Sequence, residues 1–311
     1  MGHKRPFMAA DHGNQKPRRL KESKGDHSMS QNNAKYYDPT TMEPVTQVPT
    51  VSGDKMKNVT IREVKAMGLI PRTTSIIELM ANFGVMKYKL REVVKACMVV
   101  PFEGTLEGKT DMQIAQIIKD YEKPVYAKAS EHAKNAADEG TLIHKAVYLW
   151  LGQQIEPATP VHAKICDEAS RFIKSIDAQN LSLERSFGSR ELGFAGTPDI
   201  WCDADKALLE QALGLVLTCK LGEQRVQVMI DCKSTDMAKF KAPYDSWKLQ
   251  LGAYRGGTGC DDGTFLVQFV ADRAHGDCLW LNHEEPDKWW DAFRHLFDIW
   301  CIVKGFDPRV A

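Results

Sequence analysis

The chain has 311 residues, of which 43% are hydrophobic and 26% are charged. This composition is ordinary for a protein that buries one sizeable core, and it excludes collagen, coiled coils and wholesale disorder. No apolar run approaches the roughly 18 residues of a membrane span, and the N-terminus lacks the apolar stretch of a signal peptide. We therefore expect a cytoplasmic protein with no membrane partner. The eight cysteines show no Cys-x-x-Cys spacing, which argues against a zinc site and a disulfide framework.

Charge is balanced overall but unevenly distributed. The chain contains 41 basic and 41 acidic residues, yet residues 1–24 hold seven basic and two acidic ones. This tail therefore carries a net charge of +5, and the rest of the chain carries −5. A globally basic surface that coats nucleic acid is excluded, so a polyanionic partner would have to bind in a local groove or at the tail. A solvated leader without a partner explains the tail equally well.

Composition and periodicity divide the front of the chain into two regions. We expect residues 1–55 to be disordered, because they hold few branched aliphatic side chains and cannot offset their ordering entropy by burial. Residues 56–135 form a helical N-terminal region. Periodicity and capping signals predict helices over residues 60–71, from 75 to about 85 and on to about 98, over 110–121 and over 124–150.

Residues 136–311 form the third region, in which the hydrophobic period changes from 3.6 to 2 after a helix that begins near Pro160. We predict strands over residues 181–187, 194–202, 215–220, 226–233, 264–271 and 278–281. We predict helices over residues 206–213, 245–254 and 285–303. This order favours an α/β fold with a central mixed sheet flanked by helices and a helical extension in front. The aromatic stripe of the last helix is interpreted as helix packing rather than a base-stacking surface; its members are Trp289, Trp290, Phe293 and Trp300.

Two of the predicted strands carry charged side chains that can converge. Asp231 and Lys233 point to the same side of their strand because side chains alternate between faces, and Asp199 comes from a neighbouring strand. Two converging carboxylates form a hard oxygen site of the kind that Mg²⁺ or Mn²⁺ prefers. Such an ion lowers the pKa of water and stabilises charge on a scissile phosphate, and Lys233 would hold the water or neutralise a phosphate oxygen.

These residues carry a resemblance to a known family. Pro198-Asp199 followed by Asp231-Cys232-Lys233 resembles the PD-(D/E)XK nuclease signature. Further elements occur in the order that is typical of the RecB-like or phage-exonuclease-like branch: Gly140 with His144 on an upstream helix, Glu184 on the first strand, and Gln250 with Tyr254 on a downstream helix. The resemblance covers roughly residues 140–255 and implies a restriction-endonuclease-like core within residues 136–311.

The resemblance also implies roles for individual residues. It implies that the metal ligands are His144, Asp199, Asp231 and the Cys232 carbonyl. Lys233 would be catalytic, Glu184 a further metal ligand or a phosphate-facing acid, and Gln250 and Tyr254 would contact substrate or brace the site. Structural roles remain open for several of these residues: a satisfied core position for His144, a solvated strand face for Glu184, core packing for Tyr254, and a simple ion pair between Asp231 and Lys233.

The implied function is an Mg²⁺- or Mn²⁺-dependent DNA exonuclease that acts in recombination, repair or processing. Its partners would be DNA ends or single strands and a phage or host recombination or replication protein, in the host cytoplasm if the gene is carried by a phage. Two alternatives remain: a structure-specific or restriction-type endonuclease on the same core, and a DNA-binding module that does not cut. We expect no iron–sulfur cluster, because no Cys-x-x-Cys group follows the Gln250 helix. We expect DNA binding to weaken with salt and to use a basic strip formed by Arg62, Lys65, Arg72, Lys87, Lys89 and Arg91.

The distance along the chain between Asp199 and Asp231 departs from the family pattern. The two residues are 32 positions apart, whereas the family usually has a short hairpin between them. Residues 203–225 must therefore loop away from the strand pair if both acids are to reach one site.

Overall fold

The computed structural model describes residues 34–50, 53–80, 83–102, 104–215, 224–259, 264–283 and 285–310. Among these residues, no helix combines the length and the apolar character needed to cross a bilayer. The elements of the N-terminal part are β1 (Tyr36–Tyr37), β2 (Pro44–Val45), β3 (Gln47–Pro49), β4 (Met56–Asn58), α1 (Ile61–Met67), β5 (Ile70–Pro71), α2 (Thr73–Ile77) and α3 (Phe83–Val99).

The expected disorder of residues 1–55 is wrong for residues 34–50. β1 lies between β2 and β5 in a three-stranded sheet, and β3 pairs with β4. Tyr37 is 1% exposed and packs with Ile70 and Ala195. The apolar surface that orders this segment therefore comes from residues distant in the sequence. The composition of the segment itself does not reveal these partners. Residues 1–33 and 51–52 lie outside the described residues.

The helices of the front half begin near the predicted residues but differ in length. Thr60 and Glu63 form a capping box at the start of α1, and Gly68 ends the helix in the left-handed conformation. The predicted helix over 75–85 is interrupted after Ile77, because α2 has only five residues. Helix resumes at Phe83 in α3, which confirms the predicted continuation to about residue 98.

One helix, α4 (Asp111–Gln153), replaces the two predicted over 110–121 and 124–150, and it continues through Pro124. Pro124 is exposed, and the residues on both sides of it include many strong helix formers, so the loss of one backbone hydrogen bond does not end the helix.

The C-terminal half contains a central five-stranded sheet. Its elements are α5 (Pro160–Ser175), β6 (Gln179–Leu183), β7 (Phe187–Ser189), β8 (Phe194–Gly196), β9 (Ile200–Asp205), α6 (Lys206–Leu213), β10 (Arg225–Thr235), α7 (Asp245–Gly257), β11 (Thr264–Asp272), β12 (Cys278–Asn282) and α8 (Pro286–Lys304). The strand order is β12-β11-β10-β9-β6; β10 and β11 run parallel and the other pairs antiparallel. The predicted α/β class with a mixed sheet flanked by helices is confirmed.

Two predicted strands are interrupted. The strand over 181–187 ends at Leu183, because Glu184 adopts a left-handed conformation with φ 49°. The strand over 194–202 is broken between Gly196 and Ile200, where Pro198 has no N–H to donate to a ladder. Consequently β7 and β8 form a separate two-stranded hairpin. The predicted helix over 206–213 is confirmed by α6, whereas residues 216–220 of the predicted strand lie outside the described residues.

The two faces of the central sheet are covered by different helices. On one face, α4 and α5 pack against alternate residues of the strands, such as Ile200, Ile230 and Phe269. On the other face, Leu251 and Tyr254 of α7 contact Met229 and Leu266. The last helix, α8, packs against α7 rather than on the sheet. Asp231 and Lys233 share the strand face of Met229, so they face α7.

Phe172 joins the helical layer to the sheet and provides a test of the core. Its ring stacks on Trp280 of β12 with a centroid distance of 3.7 Å, and Trp280 stacks in turn on Phe269. Replacing Phe172 with Ala should lower the free energy of unfolding by about 3 kcal/mol or more, because it leaves a cavity between α5 and β12. Urea denaturation measures this change. Ile302→Ala, at an α8 position that is 80% exposed, should change stability by no more than about 0.5 kcal/mol.

Candidate functional site

Asp231 and Lys233 lie together on the central strand β10. Asp231 is 1% exposed, and its Oδ2 atom lies 2.7 Å from the Lys233 Nζ. Alternation along the strand places both side chains on the face that α7 covers. On one side Asp231 is paired with Gln268 of β11, and on the other side the ladder with β9 ends one residue earlier, at Ile230.

Asp199 joins the pair from the bend that precedes β9. The β9–β10 ladder ends at the pair Ile200 and Ile230. Beyond it, the Asp199 Oδ2 accepts a hydrogen bond of 2.6 Å from the backbone N–H of Cys232. The carboxylate thus takes the place of a strand carbonyl, which fixes Asp199 one position beyond the sheet ladder and next to β10. Its other oxygen lies 3.3 Å from the Nδ1 of His144, which α4 supplies.

Helix α7 contributes two side chains to the same cluster. The Gln250 amide donates from Nε2 to Asp231 Oδ1 at 3.0 Å and accepts from Lys233 Nζ at 3.0 Å. Its Nε2 also donates to the Tyr254 hydroxyl, which is buried. Gln250 therefore fixes the separation of the acid and the amine. The two helical residues, one turn apart, act as a brace.

Gln268 is a member of the cluster that the sequence reasoning missed. It lies directly opposite Asp231 on β11, and its Nε2 donates to the Asp231 carbonyl at 3.2 Å and to the Asp231 Oδ2 at 2.6 Å. A signal was present, because a single glutamine interrupts the otherwise apolar run from 265 to 271. A buried polar side chain in such a strand requires a partner.

The N-terminal region holds the bend that carries Asp199. Thr197 lies within hydrogen-bond distance of the hydroxyls of Tyr37 and Ser186, at 3.3 and 3.0 Å. Thr73 donates to the carbonyl of Ala195 at 2.8 Å. The segment expected to be disordered therefore helps to position Asp199.

Burial and mutual interaction shift the pKa values of the charged groups. Burial raises the pKa of Asp199, but His144, Lys233 and the Cys232 N–H together hold it below its ordinary value. Burial lowers the pKa of His144, and the adjacent Asp199 more than reverses this, so the net shift is upward. The pKa of Asp231 is raised mainly by burial; Lys233 opposes the shift and Asp199 adds to it. Two carboxylates therefore compete for limited positive charge.

The remaining predicted residues occupy different positions. Burial raises the pKa of the Tyr254 hydroxyl and the Cys232 thiol, so both stay protonated at neutral pH. The Cys232 side chain packs in the apolar core on the opposite face, which leaves only its backbone at the site. Glu184 donates its N–H to the Asp199 carbonyl at 3.0 Å, but its side chain does not line the pocket that the described residues form.

The charged cluster opens into a pocket of about 330 Å³ at one end of the central strand β10. Threonine hydroxyls and one arginine line it beside the acids, and the full lining is Arg72, Thr74, Ala137, Gly140, Thr141, His144, Thr197, Asp199, Asp231, Lys233, Gln250 and Tyr254. Of the basic-strip candidates whose side chains are described, Arg72 lines this pocket and the others do not.

The donor set fits a hard divalent cation held partly by water. Among the described residues, no group of three His, Cys, Asp or Glu side chains is arranged to hold an ion by itself. Mg²⁺ does not require such a cage, because it keeps several waters and is commonly held through one or two carboxylates. Asp199 and Asp231 supply those carboxylates; burial, and to a lesser extent the neighbouring Asp199, raise the pKa of Asp231, and a bound cation would favour its ionised form.

Comparisons with known proteins assign no family. No family model matches the chain, and no curated protein matches it. A solved structure described as SSO0001 is 10% identical to this chain, with a TM-score of 0.29, over 70% of this chain and 84% of that one. At this TM-score the likeness assigns neither fold nor function.

The interaction of Gln268 with Asp231 can be measured by a double-mutant cycle. Gln268→Leu should lower the free energy of unfolding by about 1–3 kcal/mol, because a buried carboxylate and a carbonyl lose their donor. In an Asp231→Ala background, Gln268→Leu should lower the free energy of unfolding by less, which corresponds to a coupling energy of about 0.5–3 kcal/mol. Urea denaturation of the four proteins gives the cycle, and Gln211→Leu at an exposed position of α6 is the matched control. An equal cost in both backgrounds would show that the two side chains do not interact.

The pair of His144 and Asp199 should make stability depend on pH. Because the pKa of His144 is raised in the folded protein, the favourable interaction is complete below the ordinary imidazole value of about 6.5 and is lost as pH rises through the raised pKa. His144→Asn should therefore destabilise the protein more at pH 5.5 than at pH 9. The measurement is urea denaturation at both values, with the exposed His295→Asn as control. A pH-independent difference between His144→Asn and wild type would contradict the ion pair.

Proposed function

We propose that this chain is a divalent-cation-dependent deoxyribonuclease with a PD-(D/E)XK core, and that it acts on DNA as an exonuclease. The observation that carries the proposal is the convergence of Asp199, Asp231 and Lys233 in an open pocket at one end of the central strand of a mixed sheet. The order of these residues along the chain, with Gln250 behind them, is the order of the motif that the sequence resembles.

Lys233 is the proposed catalytic cation. A lysine ammonium has three donors, and within the described residues two of them go to Asp231 Oδ2 and Gln250 Oε1. The third remains for an attacking water or a phosphate oxygen. Because Gln250 and Asp231 both hold the ammonium, it meets the substrate in a fixed position, which avoids reorganisation as charge develops.

Asp199 and Asp231 are the proposed ligands of Mg²⁺ or Mn²⁺, with His144 and the Cys232 carbonyl as further candidates. When bound, such an ion lowers the pKa of water and stabilises negative charge on phosphate. The protein's own contribution is to aim both acids at one point, through the Cys232 N–H for Asp199 and through Gln250 and Gln268 for Asp231.

The surroundings of the acids suit a phosphodiester. Arg72 lines the pocket beside the acids, together with Thr74, Thr141 and Thr197. Guanidinium and hydroxyl donors are common phosphate contacts in DNA-binding proteins. Because the body of the chain is net acidic, DNA binding should depend on these local contacts and weaken with added salt.

Lys233→Met tests the proposal, because it removes the ammonium while keeping an unbranched side chain of similar length. Cleavage of a labelled linear DNA in Mg²⁺ should fall by about 10²–10³-fold, as for the loss of one preorganised donor. Lys288→Met, on α8 and 64% exposed, should leave the rate unchanged, and EDTA should abolish cleavage by the wild-type protein. Cleavage by Lys233→Met at the wild-type rate, or cleavage in EDTA, would refute the assignment.

The same assay on closed circular DNA separates the two nuclease modes. An exonuclease leaves the circle intact while it degrades the linear form. Nicking of the circle at a rate comparable to linear degradation would favour the endonuclease alternative on the same core.

A further inference from the structure

Three aromatic residues contact one another beside the proposed active site. Phe240 lies in the connection from β10 to α7, Tyr244 caps the start of α7, and Trp247 is in its first turn. The rings of Phe240 and Trp247 are stacked, with centroids 5.9 Å apart and planes at 18°. The Tyr244 ring meets Trp247 edge-on at 4.9 Å. We call these three residues the aromatic platform.

The aromatic platform lies at the surface and not in the core. Tyr244 is 50% exposed, and Phe240 and Trp247 are half-buried. None of the three belongs to a core cluster formed by the described residues. The stripe of the last helix is different, because Phe293 and Trp300 are buried there. The platform therefore offers ring surface to a ligand.

The aromatic platform is one helical turn from the proposed catalytic residues. Trp247 and Gln250 are three residues apart on α7, and side chains at this spacing are neighbours, with Cβ atoms roughly 5–6 Å apart. Gln250 contacts both Lys233 and Asp231. A group resting on the platform is thus adjacent to a phosphate held at Lys233.

The charge around the aromatic platform suits an anionic chain. Lys239 and Lys241 flank Phe240 in the sequence, in a protein body of net charge −5, and the Lys239 side chain is 82% exposed. Lys248 follows Trp247 in the sequence, and its Nζ lies 5.1 Å from the centroid of the Trp289 ring. Lys239 pairs with Asp236 and Lys248 with Asp245. With three lysines and two aspartates, residues 236–248 carry a net charge of +1. Exposed rings combined with cations are the pattern by which proteins hold unpaired nucleotides, since every base has a face that can stack.

We infer that the aromatic platform stacks an unpaired nucleobase of the DNA strand whose phosphate lies at Lys233. This inference rests on the proposed function and adds to it a preference for single-stranded ends. It follows from the juxtaposition of exposed rings with the acid–amine cluster through one turn of α7. Tyr244 is the most exposed of the three rings. Its substitution should therefore remove the most stacking surface without disturbing the core.

A binding assay tests the aromatic platform without cleavage. A single-stranded oligonucleotide with 2-aminopurine at its terminal position is titrated in Ca²⁺ with the full chain, and both the quenching of the base and the dissociation constant are recorded. Tyr244→Ala should weaken binding about ten-fold and reduce the quenching, while Tyr244→Phe should behave as wild type. Tyr126→Ala, at a tyrosine on α4 that is 57% exposed, is the matched control.

The outcomes separate the inference from the proposed function. A blunt duplex has no unpaired base, so Tyr244→Ala should change its binding by less than two-fold. If Tyr244→Ala binds the single strand with wild-type affinity and quenching while the wild type still cuts DNA, the aromatic platform is refuted and the nuclease proposal stands. If Tyr244→Ala loses the same affinity for the single strand and for the blunt duplex, stacking on an unpaired base is also refuted. If the wild type neither binds nor cuts DNA, both proposals fail. Thermal unfolding of each variant confirms that it is folded.

Discussion

The structure depends on two neighbouring carboxylates at the end of one sheet, one of them buried and the other partly buried. Asp231 is 1% exposed on the central strand, and Asp199 lies immediately beyond the adjacent one. Removing a carboxylate from water costs several kcal/mol unless it is paired and hydrogen-bonded. Here the cost is offset by partners from four different elements, so the sheet and both helical layers must assemble before the acids can be buried. These partners are Lys233 and the Cys232 N–H of β10, His144 of α4, Gln250 of α7 and Gln268 of β11.

The pairing is incomplete, and this gives the site its chemical character. His144, Lys233 and the Cys232 N–H lower the pKa of Asp199, whereas burial raises the pKa of Asp231 in spite of Lys233. A cation entering the pocket would relieve this imbalance. The same feature explains why the acids meet at an opening of the fold: deeper in the sheet, two carboxylates could not exchange water for a ligand.

The sequence predicted the parts of the fold that depend on local pattern. Strand alternation placed Asp231 and Lys233 on one face, and the α6 boundaries follow from helical periodicity. It did not predict features set by distant contacts. Tyr37 is ordered because it packs with Ile70 and Ala195. The composition of residues 1–55 gives no information about partners from elsewhere in the chain. The break in the strand around Pro198 could have been predicted, since proline has no N–H to donate to a β-ladder. The apolar residues on both sides of it instead suggested one continuous strand. Gln268 could also have been identified as a site residue, because it is a polar residue in an apolar strand. Hydrophobic periodicity alone did not single it out.

The position of α7 links core packing to the site. Trp289 and Trp290, interpreted from the sequence as packing residues, lie against this helix at two glycines. A Cβ atom at Gly252 would come within 2.8 Å of the backbone between the two tryptophans, and one at Gly256 within 2.2 Å of the Trp290 ring. Such close approach leaves α8 no freedom to slide along α7. Because Gln250 lies two residues before Gly252, this contact also fixes the depth at which its amide reaches Asp231 and Lys233. The tryptophan stripe therefore acts on the proposed chemistry indirectly, through the placement of one helix.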